Sequence, residues 1–301
     1  MPVRFPPAEV HIDDRIVREL VLQQFPTLSA LELSFCSSGW DNVTYRLGPE
    51  LAVRLPRIGA AVPLLLNEQR WLPRLARVVE VPVPAPVHCG VPTAAYPWPF
   101  SIVPWREGVD AGVTPLLPAE AKKVGSFLRA LHSADANGLG SNAWRGGPLL
   151  HRAEEVQQRI GRLREIDHGT SLDYPRLLQL FDRAVEAPLD VARCWIHGDL
   201  HPKNIVSLSG KLASVIDWGD MNMGDPANDL ACAWLLFDPV HHTEMWRAYG
   251  VISEPTRRRA EGWAIFFGVT LLLAGLSDDD VVFQVSGRRT LERLQQGASS
   301  S

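Results

Sequence analysis

The sequence predicts an α+β chain, with a small antiparallel sheet near the amino terminus and a larger, mainly helical region after it. Three observations predict this. Residues 31–35, 43–47 and 51–55 read as strands joined by turns, the signature of a meander. Pro82, Pro84 and Pro86 then exclude both helix and central strand over 81–87, leaving an extended connector. Beyond it, Val124, Phe127, Leu128 and Leu131 recur at helical spacing. At 301 residues the chain exceeds the usual single domain, so two units are expected, 1–104 and 105–301.

The elements follow in order. Ser37-Ser38-Gly39-Trp40-Asp41-Asn42 forms the first turn and Gly48-Pro49-Glu50 the second. A helix is expected over 63–71, carrying Glu68, and a strand at the end of 94–105. Gly108 releases the chain into the second region, where 118–134 is the first amphipathic helix. A loop from Gly138 to Pro148 precedes helices over 149–165 and 174–187. Strands at 205–208 and 212–216 are joined by Ser209-Gly210-Lys211. Pro226 opens a helix to residue 237, as proline does at a first turn, and helices over 255–276 and 279–294 follow. The tail 297–301 reads as frayed, and no internal repeat is evident.

The chemistry concentrates in His197-Gly198-Asp199-Leu200-His201-Pro202-Lys203-Asn204, closed by Asp217. A hairpin brings its outer ends together, so Asn204 before its first strand and Asp217 after its second should meet. Phosphoryl transfer needs a carboxylate beside the attacking hydroxyl and oxygen ligands for magnesium on the donor phosphates. Asp199 can supply the first, and Asn204 with Asp217 the second. Taken singly, these residues would cap turns and begin a helix; their joint spacing around a hairpin points to a phosphotransfer site. His197 and His201 stand at i, i+4, but Gly198 and Pro202 break a helix and no helical glutamate base lies between them. His197 reads as a brace for the loop rather than a zinc ligand.

With Val215-Ile216-Asp217-Trp218-Gly219-Asp220 and Gly224-Asp225-Pro226-Ala227-Asn228-Asp229-Leu230-Ala231, this run resembles the aminoglycoside phosphotransferase family. Leu131-His132 matches the end of an earlier helix in the family pattern. The resemblance implies a two-lobed, protein-kinase-like fold acting on small molecules, with Asp199 as catalytic base and Asn204 and Asp217 as magnesium ligands. It gives Asp225 and Asp229 structural roles, bracing the catalytic loop and capping the next helix. It raises Ser38, Gly39 and Asn42 as phosphate-loop candidates. Arg54 stands where kinases carry the phosphate-pairing lysine, and Glu68 is its expected partner; the alternative leaves Glu68 on the helix surface. The end of 94–105 resembles the hinge strand, where Pro104 offers only a carbonyl to adenine and Arg106 the nearest N–H.

Composition sets the outer bounds. A net charge of −4 argues against a nucleic-acid partner and suits a cationic acceptor. Cys36, Cys89, Cys194 and Cys232 form no Cys-x-x-Cys pair and read as free thiols of a reducing compartment. No amino-terminal signal is visible, and the apolar run 263–276 is too short to span a bilayer, so a cytoplasmic enzyme without a membrane partner is expected. Its cofactors would be Mg2+ and ATP or GTP, and its acceptor a small-molecule hydroxyl. Asp220 and Asp278 to Asp280 could make the acceptor wall anionic, while Trp218 and Trp234 could be core or platform. An aminoglycoside, another antibiotic such as a macrolide, and a housekeeping metabolite all remain open as acceptors. A pseudokinase that binds nucleotide without transfer is opposed by the presence of all three acidic and amide groups; the thin phosphate loop and Arg54 keep it open.

Overall fold

A computed structural model describes residues 6–142, 144–168 and 171–297, so the terminal residues 298–301 expected to fray lie outside the described part. The chain separates into two units. Among the described residues, one comprises 6–107 with Ser214–Gly219, and the other Gly108–Ala213 with 220–297.

The first unit opens with a helix that the sequence reading did not anticipate, α1 (Asp14–Gln24). The Asp13 carboxylate accepts from the Ile16 N–H at 2.8 Å and caps it, and Ile16, Val17, Leu20 and Val21 form its buried stripe. Strands β1 (Leu33–Ser38), β2 (Asn42–Leu47) and β3 (Leu51–Pro56) make the expected meander, followed by α2 (Val62–Leu75), β4 (His88–Gly90) and β5 (Phe100–Pro104). The antiparallel sheet runs β1-β2-β3-β5-β4. Val53 and Leu55 join α1, Phe100 and Ile102 in the core. Successive strand residues alternate faces, so Arg54 points away from that core, toward Glu68 on α2. The proline run 81–87 stays irregular but is not idle: the Pro82 carbonyl accepts from Ser214 Oγ at 2.8 Å and Val215 N at 3.2 Å, docking that segment in this unit.

In the second unit β6 (Val109–Asp110) precedes α3 (Ala121–His132), α4 (Ala153–Ile166) and α5 (Tyr174–Glu186). Then come β7 (Cys194–Ile196), β8 (Ile205–Leu208), β9 (Lys211–Val215) and β10 (Asn222–Gly224). Two small sheets result, β6-β8-β9 and β7-β10. The expected hairpin is β8–β9, and its turn places both Ser209 and Gly210 at positive φ, the I′ geometry that suits strand twist.

The helix expected over 226–237 is instead two short ones, α6 (Ala227–Leu230) and α7 (Cys232–Leu236). The stretch from Leu149 starts as a 3-10 turn before α4. His242 opens α8 (His242–Tyr249), which packs on α3 so closely that a Cβ at Gly125 would meet the Met245 carbonyl at 2.2 Å. The chain ends with α9 (Glu254–Asp278) and α10 (Val281–Gly297).

At 25 residues, α9 is longer than the apolar run suggested and would qualify for a bilayer by length and composition. Its apolar surface is instead consumed by packing against α4, α5, α6 and α10, so it is a buried core helix. All four cysteines are free.

Candidate active site

The loop from β7 to β8 is held from below by buried acids. Asp229, fully buried at 0% exposure, accepts from the His197 N–H at 2.7 Å and the Gly198 N–H at 2.9 Å. His132 Nε2 lies 3.3 Å from the same carboxylate. Gly198 has φ +88°, and a Cβ there would meet the Asp220 carbonyl at 2.7 Å, so only glycine fits this turn. Buried His197 takes the Asp199 N–H on Nδ1 at 3.2 Å, the bracing role expected of it. Asp225 accepts from the Ala227 N–H at 3.1 Å, starting α6, and from Arg259 Nε at 2.6 Å.

Asp199 does not face solvent alone. Arg145 Nη1 lies 3.0 Å from its carboxylate, and His201 Nε2 lies 3.4 Å away. Burial alone would push the Asp199 carboxyl up; Arg145 first, then His201, overcome it and hold the group well below the usual carboxylate range. Arg145 was invisible in the sequence, one charge in a glycine-rich loop. The fold pins it: the Gly146 carbonyl accepts from the Asp225 N–H at 2.8 Å, and Gly146 adopts φ +65°. From there Arg145 Nε also reaches Asp220 at 3.0 Å.

The expected anionic acceptor wall is therefore corrected. Asp220 is matched by Arg145, Asp280 caps α10 and pairs with Lys203 at 2.5 Å, and Asp279 is a left-handed cap residue. Trp218 and Trp234 are core, buried to 0% and 5% exposure.

In the first unit, Arg54 Nη1 donates to Glu68 at 2.8 Å, and Arg54 Nη2 lies 3.7 Å from Asp217. Glu68 is buried, not a surface residue, and its second oxygen accepts from the Trp218 N–H at 3.0 Å. Burial pushes the Glu68 carboxyl up and Arg54 opposes it; burial also works against the Arg54 charge, which Glu68 and Asp217 restore. Asp217 has φ +62°, a strained conformation for a non-glycine residue that costs about 1–3 kcal/mol. Trp218 holds it there, its indole N–H donating to the Val215 carbonyl at 2.9 Å.

The turn expected to meet phosphate is a closed hairpin turn. Ser38 is paired with Val43 in the sheet, and the Gly39 N–H donates to the Asn42 carbonyl at 2.9 Å, closing the hairpin. Buried Asn42 Oδ1 has no partner among the described residues. Pro104 ends β5 opposite Leu51, the Trp105 N–H is taken by the Glu50 carbonyl at 2.7 Å, and Arg106 is exposed just beyond.

The model of the phosphotransferase enzyme family matches residues 32–263 of this sequence. The chain belongs to that family.

The fold of this phosphotransferase is shared by solved structures of low sequence identity. The GDP complex of aminoglycoside 2′-phosphotransferase-IIIa is 18% identical, with a TM-score of 0.68 over 95% of this chain and 100% of that one. Macrolide 2′-phosphotransferase MphH from Brachybacterium faecium is 17% identical, with a TM-score of 0.58 over 92% and 97%. A homoserine kinase of Gluconacetobacter diazotrophicus is 32% identical over 127 residues, a match spanning only 37% of either chain. The kinase-like fold and the phosphotransferase class expected from the sequence both stand.

Two residues, one in each unit, were expected to offer an oxygen to magnesium. Asn204 spends its amide nitrogen on the Asp199 carbonyl at 2.8 Å, which leaves Oδ1 as the atom to offer a hard cation. Asp217 offers a carboxylate that is 55% exposed. No three His, Cys, Asp or Glu side chains gather at one point among the described residues. One or two oxygen ligands completed by phosphate and water is the way magnesium is usually held.

Proposed function

We propose that this phosphotransferase moves the γ-phosphoryl group of ATP or GTP to a hydroxyl of a small molecule lying against Asp199. The carboxylate of Asp199, held ionised between Arg145 and His201 on a loop braced by Asp229, carries this reading. A carboxylate of such low basicity serves as a hydrogen-bond acceptor that aims the hydroxyl, and takes its proton only as the new bond forms. The acceptor oxygen bonds to the γ-phosphorus, the bond from that phosphorus to the β,γ-bridging oxygen breaks, and nucleoside diphosphate leaves. The proton passes through Asp199 to solvent.

The first unit, read as residues 1–104, would hold the nucleotide and 105–301 the acceptor. Arg54, oriented by Glu68, pairs with donor phosphates. Asn204 and Asp217 would hold magnesium, which when bound would offset the phosphate charge. Ser38, Gly39, Asn42, Pro104 and Arg106 are the proposed nucleotide contacts, with the Gly39 N–H bonded within the turn. Support for a nucleotide donor comes from fold neighbours that are GDP and ADP complexes. Free thiols support a reducing, cytoplasmic setting.

The relatives suggest different acceptors: kanamycin accompanies GDP in one aminoglycoside phosphotransferase structure, and the partial sequence match is to a homoserine kinase. The deciding experiment incubates the protein with magnesium, ATP or GTP, and a panel of aminoglycosides, macrolides, amino alcohols, sugars and hydroxy amino acids. Mass spectrometry reads phosphorylated product, with Asp199→Asn as the blank. Product absent from the blank is expected. Absence of product together with absence of saturable magnesium-dependent nucleotide binding would overturn the reading.

A further inference from the structure

The loop from β7 to β8 is held at both ends by the second unit. Asp229 takes the His197 and Gly198 N–H groups at its start. Its far end is a 3-10 turn, Pro202–Asn204, whose Pro202 carbonyl accepts from the Ala111 N–H at 3.0 Å. That turn sends buried Asn204 inward and Lys203 outward, to the start of α10.

Lys203 is caught there twice. Its Nζ lies 2.5 Å from Asp280 Oδ2 and 3.9 Å from the ring centre of Phe283. Asp280 Oδ1 accepts from the Phe283 N–H at 3.0 Å, so one carboxylate fixes both the lysine and the backbone that presents the phenyl ring. The corner behind it has no slack. Asp279 turns at φ +55°, and the Gly275 carbonyl accepts from the Asp280 N–H at 3.0 Å and from Gln284 Nε2 at 2.9 Å. A Cβ at Gly275 would run into the Gln284 backbone.

Phe283 also meets His201, with the rings perpendicular at 88° and their centres 6.0 Å apart. His201 Nε2 in turn lies 3.4 Å from Asp199 Oδ2, while Arg145 holds Oδ1 of that carboxylate at 3.0 Å. Charge sets the Arg145 side. On the other side, His201 Nδ1 is buried with no partner among the described residues. A second hydrogen bond is what ordinarily fixes the orientation and tautomer of an imidazole. Here packing must do it, and Phe283 is the wall that the ring meets. The Lys203–Asp280 pair, 32% and 28% exposed, adds little to stability; its effect is to keep that wall in place.

Resting on the kinase reading above, we infer that Phe283, Lys203 and Asp280 are positioning residues for phosphoryl transfer. They hold His201 against Asp199 and thereby fix the direction of the second carboxylate oxygen toward the acceptor hydroxyl. The α9–α10 corner acts on the reaction through the loop.

The test uses the full chain and four variants: Phe283→Leu, Phe283→Tyr, Asp280→Asn and Lys203→Gln. Leucine removes the aromatic face and tyrosine keeps it; asparagine keeps the cap on α10 and removes the charge. Kanamycin, erythromycin, choline, glucose and L-homoserine serve as trial acceptors with magnesium and ATP or GTP. Misplacement of an aiming group predicts kcat about 10-fold lower in Phe283→Leu, with both KM values within about 2-fold of wild type. Phe283→Tyr should recover most of the loss. Asp280→Asn and Lys203→Gln should each lower kcat, and the double variant no further than either, because both break one contact. Magnesium–nucleotide titration is the folding control.

Nitrogen NMR of the histidine rings reads the same contact without any acceptor, His201 being assigned by the signals lost in His201→Asn. Phe283→Leu should move the His201 ring shifts toward the average of the two tautomers, and Phe283→Tyr should leave them in place. A kcat within about 2-fold of wild type in Phe283→Leu would overturn the inference and leave the kinase reading standing. Without transfer by the wild type the kinase reading fails, and the spectrum decides the clamp alone. Shifts unchanged in Phe283→Leu would overturn it; shifts moved there and kept in Phe283→Tyr would support it.

Discussion

Arg145 lies 3.0 Å from the Asp199 carboxylate through Nη1 and 3.0 Å from Asp220 through Nε, one guanidinium spanning two acids. A glycine-rich loop thus supplies the group that fixes the charge of Asp199. Glycine earns its place there twice, at Gly146 and at Gly198, where backbones pass too closely for a side chain.

Replacing Arg145 should move the pH profile. Asp199 acts as a carboxylate, and Arg145 keeps it ionised below the usual range. In the wild type, activity should therefore persist to low pH; in Arg145→Gln, the acidic limb of kcat/KM should shift toward higher pH, with a lower plateau. An unshifted limb in the variant would remove Arg145 from this role.

Glu68→Ala leaves Arg54 buried with Asp217 at 3.7 Å, and more weakly Asp41, to answer it. Loss of about 3 kcal/mol of stability is expected, because an unpaired buried charge costs more than its pair contributes. Glu68→Gln, which keeps the bond to the Trp218 N–H, should lose less. Denaturant midpoints for the two variants, with the nucleotide KM rising in both, would check this.

Asp217→Ala should abolish the magnesium dependence of nucleotide binding. Alanine suits the φ of +62° no better than aspartate, so the variant should be somewhat less stable than the wild type, whereas Asp217→Gly would relieve the strain. Titration of nucleotide with and without magnesium decides the matter; equal curves for variant and wild type would count against Asp217 as a ligand.

His242 sets one limb of the stability profile. Burial against Trp234 and Trp246 pushes its pKa down to about 4, from an unfolded value near 6.5. Between these values the unfolded chain binds the extra proton, so the titration of His242 is neutral to folding above about pH 6.5 and disfavours it progressively as pH falls toward 4. The full effect is about 3 kcal/mol. Glu261, pushed up to about 7 by burial, has the opposite sign in an overlapping window. The contribution of His242 should therefore be read as the difference between wild type and His242→Asn across that range, and a constant difference would contradict it.

Much of the fold was legible because it is local. The β8–β9 hairpin announced itself through Ser209-Gly210, and α3 through the stripe of Val124, Phe127, Leu128 and Leu131. The α1 signal was also present, in Asp13 followed by Ile16, Val17, Leu20 and Val21, and went unread. The break at Ala231 between α6 and α7 had no such mark: alanine favours helix, and packing against α9 decides the outcome.

The sequence by itself determined the phosphotransferase family and the kinase-like fold, because the residues that carry the family pattern lie close together in a run of fixed spacing. Tertiary structure alone decided that Asp199 is paired with Arg145, and that Arg152 and Arg159 join it around one pocket. Those partners come from separate loops and helices. Charge compensation depends on distance in space and on exclusion of water, and no sequence spacing records either.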